Sequence, residues 1–212
     1  MPNFKGGLTP VNYLGAADTG QINPYRIKNG VAKNFYAGQP VRVSSNGFLD
    51  TVVNTSTPVG VIAEVLWIDG TTKRITRSLY FPSGTSTEGG FVDGLNTQTW
   101  GGVIAKVYDN PNQVYAVKAD LSVAASFIGQ YAQVTNATTG SSYSGRSNTE
   151  ADVAAAGTSA TNALLQIVGI PTYEVQVGAG VSAAPTPDGA FQNTWDVPQT
   201  EILVVFARHL YN

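Results

Sequence analysis

The chain has 212 residues, 42 % of them hydrophobic and 12 % charged, with a formal net charge of −2, one histidine and no cysteine. These values exclude a disulfide framework, a thiolate nucleophile, cysteine-ligated zinc and a global basic field for nucleic acid. They also leave few groups that accept, donate or attack, so a surface-forming protein is expected rather than an enzyme.

The charged fraction is about half the usual ~25 %. Either much of the surface is contact surface, or the chain is simply β-rich and favours Thr and Val over Glu and Lys. Charge is unevenly spread. Residues 1–90 carry eight basic side chains against five acidic ones, and residues 91–212 carry four against nine. No run approaches ~18 apolar residues and residues 1–7 show no apolar leader, so a soluble protein made in a cytoplasm, with no membrane partner, is expected.

In chain order, residues 1–35 read as an extended N-terminal arm. Gly6, Gly7, Pro10, Gly15, Gly20, Pro24 and Gly30 interrupt every periodic run, leaving Phe4, Leu8, Tyr13, Leu14, Ile22 and Tyr25 as isolated apolar residues. Such a segment drapes over its own domain or a neighbour, or frays. Residues 39–43 and 48–53, joined by Ser45-Asn46-Gly47, predict a hairpin. Residues 58–68 predict a long strand closed by Asp69-Gly70, with residues 71–81 as its return. Lys73, Arg74 and Arg77 beside Tyr80 and Phe81 suit either a nucleic-acid stripe or, more simply, a strand's solvent face.

Residues 82–100 read as a polar, glycine-rich loop. Strands are predicted over 103–108 and 113–119 around the turn Asp109-Asn110-Pro111-Asn112. Asp120 is a candidate cap for one helical turn ending near Ser126. Residues 128–134, 163–170 and 201–207 predict further strands, residues 150–156 a short helix or a strand, and residues 178–195 a Gly/Ala/Pro loop. The fold class expected is therefore all-β, barrel- or sandwich-like, with an N-terminal arm (1–35), a first β subdomain (36–100), a second (101–212) and long polar loops.

Chemistry finds little support. A Ser-His-Asp system must use His209, and no Gly-x-Ser-x-Gly elbow accompanies it. One histidine makes no His₂ or His₃ metal set. Glu150 and Asp152 would share one face of a strand, but a glycosidase needs its carboxyls about 5–9.5 Å apart in a cleft. Asp109-Asn110-Pro111-Asn112 suits a calcium loop or, more simply, an Asx-type turn. No phosphate-cradling glycine motif is present. No catalytic residue, metal or cofactor is expected.

One stretch is more specific. Residues 102–170 contain Tyr108-Asp109-Asn110-Pro111-Asn112, the run from Val114 to Asp120, and Ile128-Gly129-Gln130-Tyr131-Ala132. They continue with Thr139-Gly140-Ser141, Gly145-Arg146-Ser147, Glu150-Ala151-Asp152 and the run from Leu164 to Gly169. With the closing segment 204–210 and the opening Gly38-Gln39-Pro40-Val41, Gly47 and Pro58-Val59-Gly60-Val61, this resembles the head decoration, or cement, proteins of tailed bacteriophages. The likeness covers about two-thirds of the chain. It departs at Ala207-Arg208-His209-Leu210, where relatives tend to carry Asn-Asn-His, so no special role passes to His209.

The resemblance implies a non-enzymatic protein on the exterior of a virion capsid. There it would bridge subunits of the major capsid protein beside neighbouring copies of itself, without touching DNA directly. Phe4, Leu8, Tyr13, Leu14, Ile22, Tyr25 and Arg26 of the arm are the expected contact residues, and deleting residues 2–30 is expected to abolish capsid binding while leaving the β fold intact. The alternative is a carbohydrate-binding or adhesive module stacking sugars on Trp67, Trp100 or Trp195.

Overall fold

The structure, a computed structural model, describes residues 6–14, 21–28, 30–85, 87, 91–92, 99–100, 102–121, 123, 125–157, 163–169 and 201–211. Among them are sixteen strands and one 3-10 turn (Ala125–Phe127). In order the strands are β1 (Thr9–Tyr13), β2 (Asn23–Ile27), β3 (Phe35–Tyr36), β4 (Pro40–Val43), β5 (Leu49–Thr51), β6 (Gly60–Ile68), β7 (Ile75–Ser78) and β8 (Tyr80–Phe81). They continue with β9 (Phe91–Val92), β10 (Thr99–Trp100), β11 (Val103–Tyr108), β12 (Gln113–Lys118), β13 (Tyr131–Thr135), β14 (Glu150–Gly157), β15 (Leu165–Gly169) and β16 (Glu201–Phe206). The protein is all-β, as its turn-rich, β-branched sequence predicts.

Five strands close a barrel in the order β11-β2-β5-β4-β6, with β6 returning to β11. All neighbours are antiparallel except β2 and β5, which meet in a parallel bridge between Ile27 and Leu49. Alternation drives the closure: Val103, Ala105 and Val107 of β11 turn inward onto Ile27, Val41, Leu49, Val65 and Trp67. A bulge opposite Lys106 and Val107 lets Ile62 and Val65, three residues apart, both face this core. β6 serves two partners on one side, pairing with β4 at its start and β7 at its end.

The second sheet is antiparallel, in the order β1-β12-β16-β15-β13-β14. Tyr115, Val117, Leu164, Ile167, Ile202 and Phe206 fill its core, which also takes in Val52 and Val61 from the barrel segments. Barrel and sheet thus share an apolar layer. The β11–β12 hairpin crosses between them, and the fully buried Tyr115 hydroxyl donates to the Tyr108 carbonyl at 3.0 Å.

Several expectations change. Of the alternatives open for the arm, its described residues take the first, joining their own domain: β1 is a strand of the second sheet and β2 a strand of the barrel. The expected division at residue 100 does not follow the sheets, because β11 belongs to the barrel and β1 to the sheet built mainly from residues after 112. Where the N-terminal segment enters, the Leu8 amide donates to the Gly38 carbonyl at 2.9 Å. A Cβ on Gly7, which holds φ +82°, would lie 2.6 Å from that oxygen, so glycine is required there.

Among the described residues, Asp120 bonds across to β14 rather than to a helical turn. Its carboxylate accepts from the Val153 amide at 3.0 Å, and the 3-10 turn begins five residues later. Residues 71–81 form two short strands broken at Leu79 rather than one return strand, and the loop over 82–100 contains the β9–β10 pair. Residues 150–157 resolve the helix-or-strand choice as β14. The loop predicted over 178–195 lies outside the described residues.

Candidate functional site

The seven arm residues do not form one surface. Phe4 lies outside the described residues. Leu8 is 1 % exposed and belongs to the core of the second sheet, so it is a packing residue and not a contact for a partner. Tyr13 stands opposite Gln113 at the end of β1. Leu14 and Ile22 are exposed, Tyr25 is half-buried, and Arg26 is exposed on β2 opposite Ile104.

What the structure brings together instead is the outer face of β2, β11, β6 and β7. Ladder pairs place Arg26 opposite Ile104, Ile104 opposite Leu66, and Ile68 opposite Ile75. Ile104 is 40 % exposed, Ile68 36 % and Ile75 76 %. With Leu66, Trp67, Gly102 and Arg26 they line a shallow groove of about 300 Å³. Outward positions on a strand normally carry polar side chains, and contiguous exposed apolar surface marks interaction sites.

The groove has a basic rim. Arg26, Arg77 and Lys106 stand on its strands, while exposed Lys73 and Arg74 lie in the turn leading to β7 rather than on a strand. Glu64 sits beneath Arg77 and Lys106, accepting from both, with Lys106 Nζ at 2.9 Å. Burial alone would raise the Glu64 carboxyl. Its hydrogen bonds to Lys106 and Arg77 outweigh that and hold it below the ordinary range. The Asp69 carboxylate is likewise lowered, first by the Thr72 amide and hydroxyl it accepts from. Among the described residues, five cations stand against Glu64 and Asp69 on this face, although the whole chain is at −2.

A second concavity opens at the Asn23 end of β2. Asp109, 7 % exposed, accepts from Asn23 Nδ2 at 2.9 and 3.0 Å and from the Tyr25 hydroxyl at 2.6 Å. The Tyr25 and Tyr211 hydroxyls are 2.8 Å apart. Burial first, then the bond to Asp109, pushes the Tyr25 phenol far above its ordinary range. The turn beyond Asp109 is of the Asx type, since Asn110 Oδ1 accepts from the Asn112 amide at 2.9 Å. Among the described residues no group of three or more His, Cys, Asp or Glu could hold a metal ion.

No protein-family model, curated protein or solved structure matches the chain.

The remaining candidates fall into structural places. His209 is 4 % exposed between the rings of Phe206 and Tyr211, and its Nδ1 accepts from the Tyr211 amide at 3.2 Å. Burial lowers its pKa, against the Val59 backbone and the Asp109 charge, which raise it. Glu150 and Asp152 share the outer face of β14 as expected, and Glu150 is paired with Lys118 at 2.8 Å. Trp67 is 8 % exposed and meets Phe81 edge-on in the barrel core, so it offers no platform for a sugar. The Trp100 side chain and Trp195 lie outside the described residues.

The apolar outer strip was missed by arm-centred reasoning. Its signal was present in Val65-Leu66-Trp67-Ile68, where four consecutive apolar residues give a strand no polar face.

Proposed function

We propose that this chain is a capsid decoration, or cement, protein of a tailed bacteriophage. It docks the outer face of its barrel onto the major capsid protein on the exterior of the virion, after synthesis in the host cytoplasm. The observation that carries the reading is the exposed strip of Ile68, Ile75 and Ile104, bordered by Arg26 in the groove wall and by Arg77 and Lys106 on the neighbouring strand positions. An apolar centre with a charged rim is the anatomy of a specific protein interface. The partner this face fits carries an apolar ridge flanked by acidic side chains. Weak single contacts suffice, because a shell presents many equivalent sites to copies that also touch one another. The phage-like run over residues 102–170 points the same way.

The experiment is co-sedimentation with capsids of the source phage stripped of this protein. Wild type is expected to pellet with the shells, and Ile75→Asp/Ile104→Asp to stay in solution while keeping its β spectrum. Equal pelleting of the two proteins, or none by wild type, refutes the proposal. The contact reading built on the arm needs a different test from a deletion. Removing residues 2–30 takes out β1 and β2, including the buried Leu8 and Ile27, and is expected to unfold the protein.

A further inference from the structure

The concavity at the Asn23 end of β2 has a chemistry unlike the docking face. It is an open concavity of about 530 Å³, similar in volume to small-ligand sites but less enclosed. Gln21, Asn23, Tyr25, Asp109, Asn110 and Tyr211 line it, with Pro24 and Pro111 between them. Among the described residues, every polar side chain there is an amide, a phenol or a carboxylate, and no cation contributes to the wall. An anionic ligand therefore has no counter-charge, and a purely apolar one finds too many polar groups to desolvate.

The hydrogen-bond directions are determined. Asp109 can only accept when ionised, so Tyr25 donates to it. The Tyr25 proton is thereby committed, so Tyr211 donates to Tyr25. The Tyr211 oxygen keeps lone pairs to accept from a ligand hydroxyl. The Asp109 carboxylate can accept a further one, and the side-chain amides of exposed Gln21 and half-buried Asn110 can donate. The Tyr211 ring, 56 % exposed and packed on His209 on its other side, presents a flat apolar surface beside these groups. Three segments far apart in sequence (residues 21–25, 109–111 and 211) hold the site in place before any ligand arrives.

We propose that this open concavity binds a neutral saccharide, whose adjacent hydroxyls both donate and accept and whose C–H face packs on Tyr211. The site is separate from the docking face, since Tyr25 and Arg26 point to opposite sides of β2. A copy held on a shell by its barrel face keeps the concavity available, and many copies would add avidity to a weak site.

The test uses the full chain, a panel of neutral mono- and oligosaccharides, and sialylated and sulfated oligosaccharides as anionic controls, read by saturation-transfer NMR. Neutral sugars are expected to bind at about millimolar affinity and the anionic ones not. Tyr211→Phe, which keeps the ring and removes the hydroxyl, is expected to weaken binding about tenfold. Gln21→Ala, an exposed change with no bearing on folding, is expected to weaken it less. Capsid co-sedimentation by both variants should be unchanged, which separates failure here from failure of the docking proposal. The inference is overturned if no neutral sugar binds up to about 50 mM. It is equally overturned if anionic sugars bind as well as neutral ones, or if neither variant alters binding.

Discussion

The barrel and the six-stranded sheet treat their outward positions in opposite ways. On the sheet, Lys118, Gln133, Glu150, Asp152, Gln166 and Glu201 face outward from strands whose other face is core. Among its described strand residues only Val11, on the edge strand β1, is a large apolar side chain that is well exposed. On the barrel, Ile68, Ile75 and Ile104 stand exposed on the outward face around half-buried Leu66. Both cores are clusters of buried apolar side chains, so the difference is not a matter of folding. A strand face that is apolar although water-facing costs solubility, and the sheet shows that this chain can make polar faces where it needs them.

The comparison can be broken most forcefully inside the shared layer. Tyr115→Ala removes a fully buried ring and its bond to Tyr108, and should cost about 3–5 kcal/mol in denaturant unfolding. Ile75→Ser, on the exposed strip, should stay within about 0.5 kcal/mol of wild type in the same measurement. A large loss at Ile75 would make the strip structural and erase the contrast.

Two pH effects sharpen it further. His209 has a lowered pKa when folded, so below about 6.5 the unfolded chain takes up a proton that the folded one resists. Stability is thus expected to be complete above that pH and to fall as pH drops toward the folded value. His209→Phe should flatten this slope, and an unchanged slope would place the effect elsewhere. Glu64 is also lowered, so its contribution is complete above its unfolded value of about 4.5 and lost as pH falls through the folded one. Glu64→Gln should remove only a small acid-dependent component, because Arg77 is largely exposed.

Much of the fold was legible in local pattern. The hairpin at Ser45-Asn46-Gly47 forms as β4 and β5, with Gly47 at φ +78°, and the turn at Asp109-Asn110 joins β11 to β12. These readings succeeded because turn chemistry acts over four or five residues. The role of residues 9–13 and 23–27 was not legible, because their order comes from partners such as Ala116 and Ala105, about 80 to 110 positions away. A glycine-interrupted segment has no periodicity of its own, and the sheet supplies it.

The candidate surfaces divide in the same way. Ile68, Ile75 and Ile104 become one strip only through ladder register between β6, β7 and β11, although the unbroken apolar run at 65–68 was a warning. Asp109 read correctly as a turn residue, yet its bonds to Tyr25 and Asn23 cross more than eighty positions. Leu8 misled for a related reason. An isolated leucine among glycines looks unpartnered until the chain folds back on Gly38.

The most direct measurement of the central claim is a cryo-EM reconstruction of the source phage's stripped capsids with the purified protein added back. Density is expected on the shell exterior with Ile68, Ile75 and Ile104 facing the major capsid protein. Density that leaves that strip in solvent while another face makes the contact, or a shell with no added density, would contradict it.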